Sequence, residues 1–395
     1  MYSVDKNNKN DVVASTGTVQ GGGTPPLGTI AKSSPTLRKL RRDRFNLLKK
    51  IRAIYLSKGS ANGLVVPTKY HRTSLCKHAC TGSAGVELNL LNKANRAFYT
   101  GLQTCGSVWT CPVCANKIQE IRRQEIAQAM AYFYGKKKQA VMITFTFPHN
   151  KNQKLKSLLN SFKEALKLLR KGGTWSRKLK ELGYMGLIRS LEITHGGNGW
   201  HPHTHELWFI DENLNEKEFK EFILSKWFDA CNKAKLIVEG KEKDFLEHSI
   251  DIKFNCSTSD YLAKFDDSNN WGIDREIAKA STKRGKKSGK HPFALADENK
   301  DDLFIEYTEA IKGTAQIYWS RGLKDLVGIN EITDEEAAEI EGDDDLIVLG
   351  LLSKPLWFKV LNQELRANVL ELAEDKKDIK DIRSFILCSE TEQNK

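Results

Sequence analysis

The alternation of apolar and polar residues predicts a strand at Ala140–Phe147, because successive side chains on a strand point to opposite faces. Gly186–Thr194 and His201–Ile210 are predicted as two further strands. The sequence HGGNGW between them contains glycine and asparagine, which adopt the positive φ angles of tight turns. These two strands are therefore predicted to form a β-hairpin.

Other parts of the chain have the apolar spacing and caps of helices. The further predicted elements are helices at 115–134, Leu155–Leu169 and Lys217–Cys231, a strand at Ser249–Phe254, and a helix that begins within Thr258–Phe265. Strands that pair through a hairpin, with helices between some of them, predict an α+β fold in which helices flank a central antiparallel sheet.

The net charge of +12 favours a polyanionic partner, nucleic acid before a membrane surface. The charge is unevenly distributed, since residues 331–345 carry nine acidic residues and no basic one. No apolar run is long enough to span a membrane, and the first residues lack the apolar core of a secretory signal. A cytoplasmic protein with reduced cysteines is therefore expected.

The stretch HPHTHEL places His201, His203 and His205 on one face of a strand. If the hairpin is symmetric about its glycine-asparagine turn, Glu192 lies opposite His203 and on the same face. Imidazoles with a carboxylate form a mixed nitrogen and oxygen site for a divalent cation. His201 is a further candidate ligand or a phosphate contact; the alternative is a surface hairpin with incidental histidines.

A metal on a basic protein suggests phosphodiester chemistry, which needs a nucleophile. The segment STSDYLAKF puts Tyr261 and Lys264 on one face near a helix start. A tyrosine hydroxyl that attacks phosphorus forms a phosphotyrosine link, and Lys264 can neutralise a phosphate oxygen. By itself this spacing is more often that of a packed tyrosine, so the hypothesis depends on the histidine hairpin.

Five of the eight cysteines lie within residues 76–114. The spacing favours a structural Zn²⁺ held by Cys76, Cys80, Cys111 and Cys114, with Cys105 as a rival ligand. The alternative is a group of buried free thiols.

The segment 275–290 is rich in lysine and arginine, interspersed with glycine and serine. It is interpreted either as a flexible loop that holds single-stranded DNA or as a solvated loop without a partner. The candidate DNA-binding residues are Lys283, Arg284, Lys286, Lys287 and Lys290. The basic helix predicted from Leu37 allows the same two interpretations.

Three blocks in order resemble the replication initiators of rolling-circle plasmids, in the HUH endonuclease superfamily. They are TFTFPHN at Thr144–Asn150, WHPHTHEL at Trp200–Leu207 and DYLAKF at Asp260–Phe265. HPFALA and IYWSRGL look like later segments of the same family, so the resemblance spans roughly residues 105–323.

The resemblance implies an enzyme that nicks one strand at a plasmid origin and stays attached to the 5′ end through Tyr261. It also implies that His203 and His205 are the metal-ligand pair, that Glu192 is a third ligand, and that the ion is Mg²⁺ or Mn²⁺. A five-stranded antiparallel sheet is expected to carry this site. No phosphate loop of a helicase is found in the sequence, so a host helicase and polymerase are expected as partners.

Two positions depart from the family's pattern. Thr204 stands where the residue between the paired histidines is usually bulky and apolar, so weaker packing is expected on the opposite face. Ser257 stands where some relatives carry a glutamate one turn before the tyrosine, which leaves the termination step unassigned.

The organisation expected along the chain has six parts. These are a disordered tail (1–36), a basic helical segment (37–75), a cysteine-rich zinc module and helix (76–135), an HUH endonuclease domain (136–325), an acidic linker (326–349) and a C-terminal helical segment (350–395). Two alternatives for the function stay open. One is a relaxase or single-strand transposase with the same site; the other is a non-enzymatic zinc-containing DNA-binding regulator.

Overall fold

The computed structural model of the chain describes residues 33–59, 71–237, 239–257, 289–340 and 345–389. Within them the strands are β1 Val86–Leu91, β2 Arg96–Thr100, β3 Lys138–Phe145, β4 Gly186–Gly196, β5 Gly199–Asp211, β6 Ile250–Lys253, β7 Ile317–Trp319 and β8 Leu346–Leu352. The helices are α1 Pro35–Gly59, α2 Arg72–Leu75, α3 Pro112–Gly135, α4 Leu155–Leu169, α5 Gly173–Glu181, α6 Glu216–Lys233, α7 Glu242–His248, α8 Pro292–Asp297, α9 Asp301–Ala310, α10 Leu323–Leu326, α11 Asp334–Glu339, α12 Lys354–Asn362, α13 Arg366–Lys376 and α14 Ile379–Cys388. No helix among the described residues has the length and apolar content needed to cross a membrane.

A five-stranded antiparallel sheet in the order β6-β3-β5-β4-β7 forms the centre of the fold. β4 and β5 form the predicted hairpin, which closes at the pair Gly196↔Gly199. Gly199 has a φ of +85°, in the left-handed region that favours glycine. The sheet and its flanking helices confirm the predicted α+β fold class.

One face of this sheet points into the main hydrophobic core under α4 and α6. Trp208 and Ile210 of β5 are buried on that face, and the ring of Phe145 on β3 lies 5.0 Å from that of Trp227 on α6. α4 covers the sheet because its apolar residues recur at three- and four-residue spacing. Each large side chain buried here stabilises the fold by about 2–3 kcal/mol.

The other face of the sheet is shared between α3 and the histidines. Leu207 and Phe209 of β5 are buried next to α3, whose Phe133 stacks on Phe209 with 4.0 Å between ring centroids. His201, His203 and His205 continue this face towards the turn. The histidines thus occupy the end of a strand whose other end is fixed in the core.

A second, three-stranded sheet has the order β2-β1-β8 and was not predicted. β1 pairs with β2 in a hairpin and with β8 from near the end of the chain. Leu88 and Leu90 of β1 are buried in a cluster with Trp357 of α12 and Ile386 of α14. The cysteine-rich segment and the C-terminal helices therefore share one core.

The segment predicted as an acidic linker is folded over part of its length. Thr333 caps α11 in a reciprocal pair with Glu336, and Ala337 and Ala338 of this helix are buried in the main core. β8 begins at Leu346, before the predicted end of the linker. The expectation of a linker is wrong for these residues, because their apolar side chains and cap outweigh the acidic composition.

The basic helix predicted from Leu37 is present as α1, with much of its surface buried against the rest of the chain. Leu48 and Ile51 lie in the main core. Arg41 donates two hydrogen bonds, of 2.7 and 3.0 Å, to Glu374 of α13, whose side chain is only 1% exposed. The expectation of a solvated surface helix is therefore wrong for this part of α1.

Candidate metal centres

The hairpin register brings a carboxylate against two imidazoles. Glu192 of β4 is paired with His203 of β5, as the sequence predicted. Glu192 Oε2 lies 2.9 Å from His203 Nε2 and 3.3 Å from His205 Nε2. All three possible ligand atoms lie within 4.8 Å of one another, and each side chain is 13% exposed. The three groups are close enough to hold one cation, and each side chain keeps a small exposed fraction.

Thr144 on the neighbouring strand orients the ring of His205. Thr144 Oγ1 of β3 lies 3.0 Å from His205 Nδ1, which leaves Nε2 directed towards Glu192. A fixed bond at one ring nitrogen sets the tautomer and direction of the other, as is usual for metal-binding histidines. The site is therefore organised by the sheet rather than by a loop.

Charge coupling keeps Glu192 in its carboxylate form. Burial disfavours that form, but the charges of His203 and His205 and their hydrogen bonds outweigh burial and hold the pKa of Glu192 well below its usual range. Burial disfavours the imidazolium of His203, but the charge of Glu192 raises the pKa of His203 overall. The three side chains therefore favour a positive charge between them. A divalent cation can take the place of the proton on His203.

A second cluster consists of four buried thiols. The sulfur atoms of Cys76, Cys105, Cys111 and Cys114 all lie within 4.8 Å of one another. The sulfur of Cys114 is 3.5 Å from that of Cys76 and 3.7 Å from that of Cys105. All eight cysteines of the chain are described, and none is in a disulfide. The four thiols can hold a metal ion.

The favoured ligand set is wrong at one position, because Cys105 takes the place predicted for Cys80. Lys77 N donates to Gln103 O at 2.8 Å, and this pairing carries Cys105 alongside Cys76. The Cys105 amide also donates to the sulfur of Cys76 at 3.4 Å. Cys80 instead pairs through its backbone with Leu102, outside the cluster.

The cluster favours a thiolate at Cys114. Hydrogen bonds from the thiols of Cys105, Cys111 and Cys76 hold the pKa of Cys114 far below its ordinary value, although burial acts in the opposite direction. Cys111 also caps α3, since its sulfur accepts from the Cys114 amide at 3.5 Å. The cluster therefore ties the start of a long helix to the segment around Cys76.

Comparison with known proteins decides the family. The profile of the Rep_1 replication protein family matches residues 99–349. The chain belongs to this family. The resemblance to plasmid replication initiators that the motifs predicted is thereby confirmed.

Two curated relatives show how far the family similarity extends. The protein named Protein rep from Streptomyces lividans is 25% identical over 319 residues, which cover 63% of this chain and 68% of that protein. A neomycin resistance protein from Streptomyces cyanogenus is 30% identical over 139 residues, which cover 29% of this chain and 32% of that protein. No solved structure matches the chain.

The part matched to the Rep_1 family contains the whole Glu192, His203 and His205 cluster. It contains three of the four clustered cysteines, whereas Cys76 lies before it. The thiol cluster thus joins the matched part of this replication protein to the segment that precedes it.

His201 lies beside the metal cluster rather than within it. Its Nε2 is 2.5 Å from Thr146 Oγ1, and its ring stacks on those of His149 and His203 at 4.6 and 4.7 Å between centroids. Burial lowers the pKa of His201 to about 3. His149 lies within the TFTFPHN block, but the sequence pattern alone did not indicate that it is a neighbour of the site.

The remaining predicted residues are mostly outside the described part of the chain. Tyr261 and Lys264 lie outside it, as do Lys283, Arg284, Lys286 and Lys287. Lys290 is described: its backbone pairs with that of His195 at the end of β4, and its ammonium group pairs with Glu298.

Proposed function

We propose that this replication protein is an HUH-type, metal-dependent single-strand DNA endonuclease and strand transferase that initiates rolling-circle replication at a plasmid origin. The observation that supports the proposal most is the convergence of Glu192, His203 and His205 on one face of the central sheet. The family assignment supplies the biological process, replication, and the cluster supplies a place for the chemistry.

The donor set fits Mg²⁺ or Mn²⁺. A carboxylate oxygen and two imidazole nitrogens suit a cation that accepts both donor types, and the partial exposure of the three groups leaves room for substrate oxygens. When bound, the ion would polarise the scissile phosphate and stabilise the charge that develops there. His201 is assigned to positioning His203, through their stacked rings, rather than to binding the ion.

Tyr261 is the proposed nucleophile. Its hydroxyl oxygen forms a bond to phosphorus and loses its proton, while the bond from phosphorus to the 3′ oxygen breaks and that oxygen takes up a proton. The DNA stays linked to Tyr261 through its 5′ phosphate, and the free 3′-hydroxyl becomes a primer for the host polymerase. Attack by a 3′-hydroxyl on the phosphotyrosine reverses the linkage, which makes the enzyme a strand transferase. Lys264 neutralises a phosphate oxygen in both directions.

The four thiols are proposed to hold a structural Zn²⁺. Four sulfur ligands fill a tetrahedral site and leave no position for a substrate. The basic residues Lys283, Arg284, Lys286, Lys287 and Lys290 are proposed to contact single-stranded DNA next to the catalytic site. The pairing of Lys290 with Glu298 makes it the weakest candidate of these. A host helicase is proposed to separate the strands.

The decisive experiment incubates the full chain with single-stranded DNA of its origin and Mn²⁺, followed by denaturing electrophoresis. A protein–DNA adduct that survives denaturation is expected. Tyr261→Phe should abolish it, whereas Tyr318→Phe, at a half-exposed tyrosine of β7, should not. His203→Ala should also abolish the adduct, and His248→Ala, at an exposed histidine outside the site, should retain it.

Each alternative outcome would point to a different nucleophile or a different function. An adduct that persists in Tyr261→Phe would keep the enzyme but move the nucleophile to another residue. No adduct from the wild-type chain, despite tight DNA binding, would favour a non-enzymatic DNA-binding regulator. Activity on a transfer origin or transposon end instead of a replication origin would favour a relaxase or transposase.

A further inference from the structure

A cavity of about 90 Å³, here called the basic cavity, lies between α1, β2, α3 and α13. Its basic lining residues come from four segments of the chain: Arg41, Arg44, Lys77, Arg96 and Lys117. The side chains of all five are half-buried. No residue of the five-stranded sheet lines the cavity, and its described lining residues include no aspartate or glutamate.

The basic cavity gathers five cationic side chains around a lining without aspartate or glutamate among its described residues. Arg41 is paired with Glu374, which is not among the lining residues. Lys77 Nζ donates to the hydroxyl of Thr104 at 2.9 Å, a neutral acceptor that does not cancel its charge. Cations gathered on a concave, partly buried surface repel one another and focus a positive potential into the space between them. An anion that enters the cavity is therefore attracted by several basic side chains at once.

The residues next to the cations indicate which kind of anion the cavity binds. Arg96 and Phe98 are two residues apart on β2 and so lie on the same face, and the ring of Phe98 is half-buried at the cavity. Asn116 and Lys117, from the second turn of α3, add an amide and a cation to the lining. An aromatic ring set among cations is typical of surfaces that bind nucleic acids.

We propose that the basic cavity binds a phosphate group of the DNA backbone, and so makes a second contact with origin DNA that is separate from the nicking site. The chain carries a net charge of +12 and belongs to a family of replication proteins, which makes DNA the partner of the right chemistry. The inference uses this family assignment and does not depend on the nicking chemistry. A phosphate contact adds affinity without reading sequence, since it positions the protein on its DNA.

Equilibrium binding tests the inference without any cleavage. The full chain carrying Tyr261→Phe, which cannot form the proposed adduct, is titrated into fluorescent origin DNA, as duplex and as single strand, at several salt concentrations. Arg96→Gln with Lys117→Gln removes two cations from the cavity. Arg177→Gln with Lys180→Gln, at two exposed positions of α5, removes the same charge elsewhere.

The cavity variant should bind DNA about 10-fold more weakly, and its slope of log affinity against log salt should be shallower by about two, one unit for each lost phosphate contact. The control should change both quantities much less. Equal losses in the two variants would overturn the proposal, because the effect would then come from net charge alone.

Two further arms address the source of the phosphate and the stability of the variant. Vesicles that contain an anionic phospholipid replace the DNA in one arm. Loss of vesicle binding with unchanged DNA binding would overturn the proposal in favour of a lipid headgroup. Lys117→Gln alone, which spares β2, is measured in the other arm; a folded single variant should show a slope shallower by about one, and an unchanged slope would contradict a DNA contact.

Discussion

Glu192 and His203 are direct partners across the β4–β5 hairpin, with 2.9 Å between Oε2 and Nε2. The pairing results from a two-residue turn, because a shift of one residue would move Glu192 to the opposite face. The strand register therefore brings together the groups of the candidate cation site.

Glu192→Gln should weaken Mn²⁺ binding by more than about 10-fold, since removal of a ligand costs more than removal of a residue that only orients one. The amide keeps the size of the side chain, so the fold should be retained. Isothermal titration with Mn²⁺ measures the affinity. Glu221→Gln, at an exposed position of α6, is the control. Unchanged affinity in Glu192→Gln would remove Glu192 from the site.

Thr204→Val should stabilise the protein. Thr204 lies between His203 and His205 with its side chain on the opposite face, 1% exposed, and its Oγ1 has no hydrogen-bond partner among the described residues. Replacement of an unsatisfied hydroxyl by a methyl group should raise the free energy of unfolding by about 1 kcal/mol, measured by urea denaturation. A lower free energy would mean that the hydroxyl is satisfied in solution.

Thr144→Val also replaces a threonine hydroxyl by a methyl group, but on the face of the sheet that carries the histidines. It is expected to change the affinity for Mn²⁺. It removes the hydrogen bond to His205 Nδ1 and should lower the affinity for Mn²⁺ about 10-fold. Thr204→Val should leave this affinity unchanged. Equal affinities in the two variants would show that Thr144 does not position His205.

Cysteine substitutions distinguish the two zinc ligand sets. Cys105→Ser should abolish binding of the proposed Zn²⁺, whereas Cys80→Ser should retain one equivalent, because only Cys105 belongs to the cluster. Zinc released from purified protein by a thiol-modifying reagent gives the stoichiometry. The opposite result would restore the set that spacing alone favours.

The protein should lose stability as the pH falls below about 6.5. Burial, with a smaller effect from the charge of Arg72, lowers the pKa of His71 to about 4. Between that value and the ordinary pKa of about 6.5, the unfolded chain binds a proton that the folded chain does not, so unfolding is favoured as pH falls through this window. The melting temperature measured across the window tests this.

A variant that keeps the cap isolates the contribution of His71. Its Nδ1 accepts from the Thr73 amide at 3.3 Å at the start of α2, and asparagine can accept the same bond without titrating. His71→Asn should therefore flatten the dependence of melting temperature on pH. His248→Asn, at an exposed position, should leave it unchanged. An unchanged slope in His71→Asn would assign the effect to other groups.

The central hairpin could be predicted from sequence because all its determinants are local. The period of two, the glycine-asparagine turn and the positions of Glu192 and His203 lie within one short stretch. β8 could not be predicted in the same way. Its partner β1 lies more than two hundred residues earlier, and the acidic residues before Leu346 obscured a strand whose pairing is decided by distant apolar side chains.

The cysteine cluster shows a second limit of prediction from sequence. Spacing favoured Cys80 because it stands close to Cys76 in sequence. The structure uses Cys105 because backbone pairing between Lys77 and Gln103 brings the two segments together. Motif spacing predicts ligands that lie on one continuous turn. It cannot predict ligands that a pairing between distant segments brings together.

The pairing of β1 with β8, and of Arg41 with Glu374, has a consequence for synthesis on the ribosome. The three-stranded sheet lacks one edge until residue 352 has emerged, and Arg41 of α1 lacks its carboxylate partner until α13 has emerged. α1 therefore stays incompletely covered until α13 has been translated. A messenger truncated before β8 should yield a product that chaperones retain, because β1 and α1 then lack these partners.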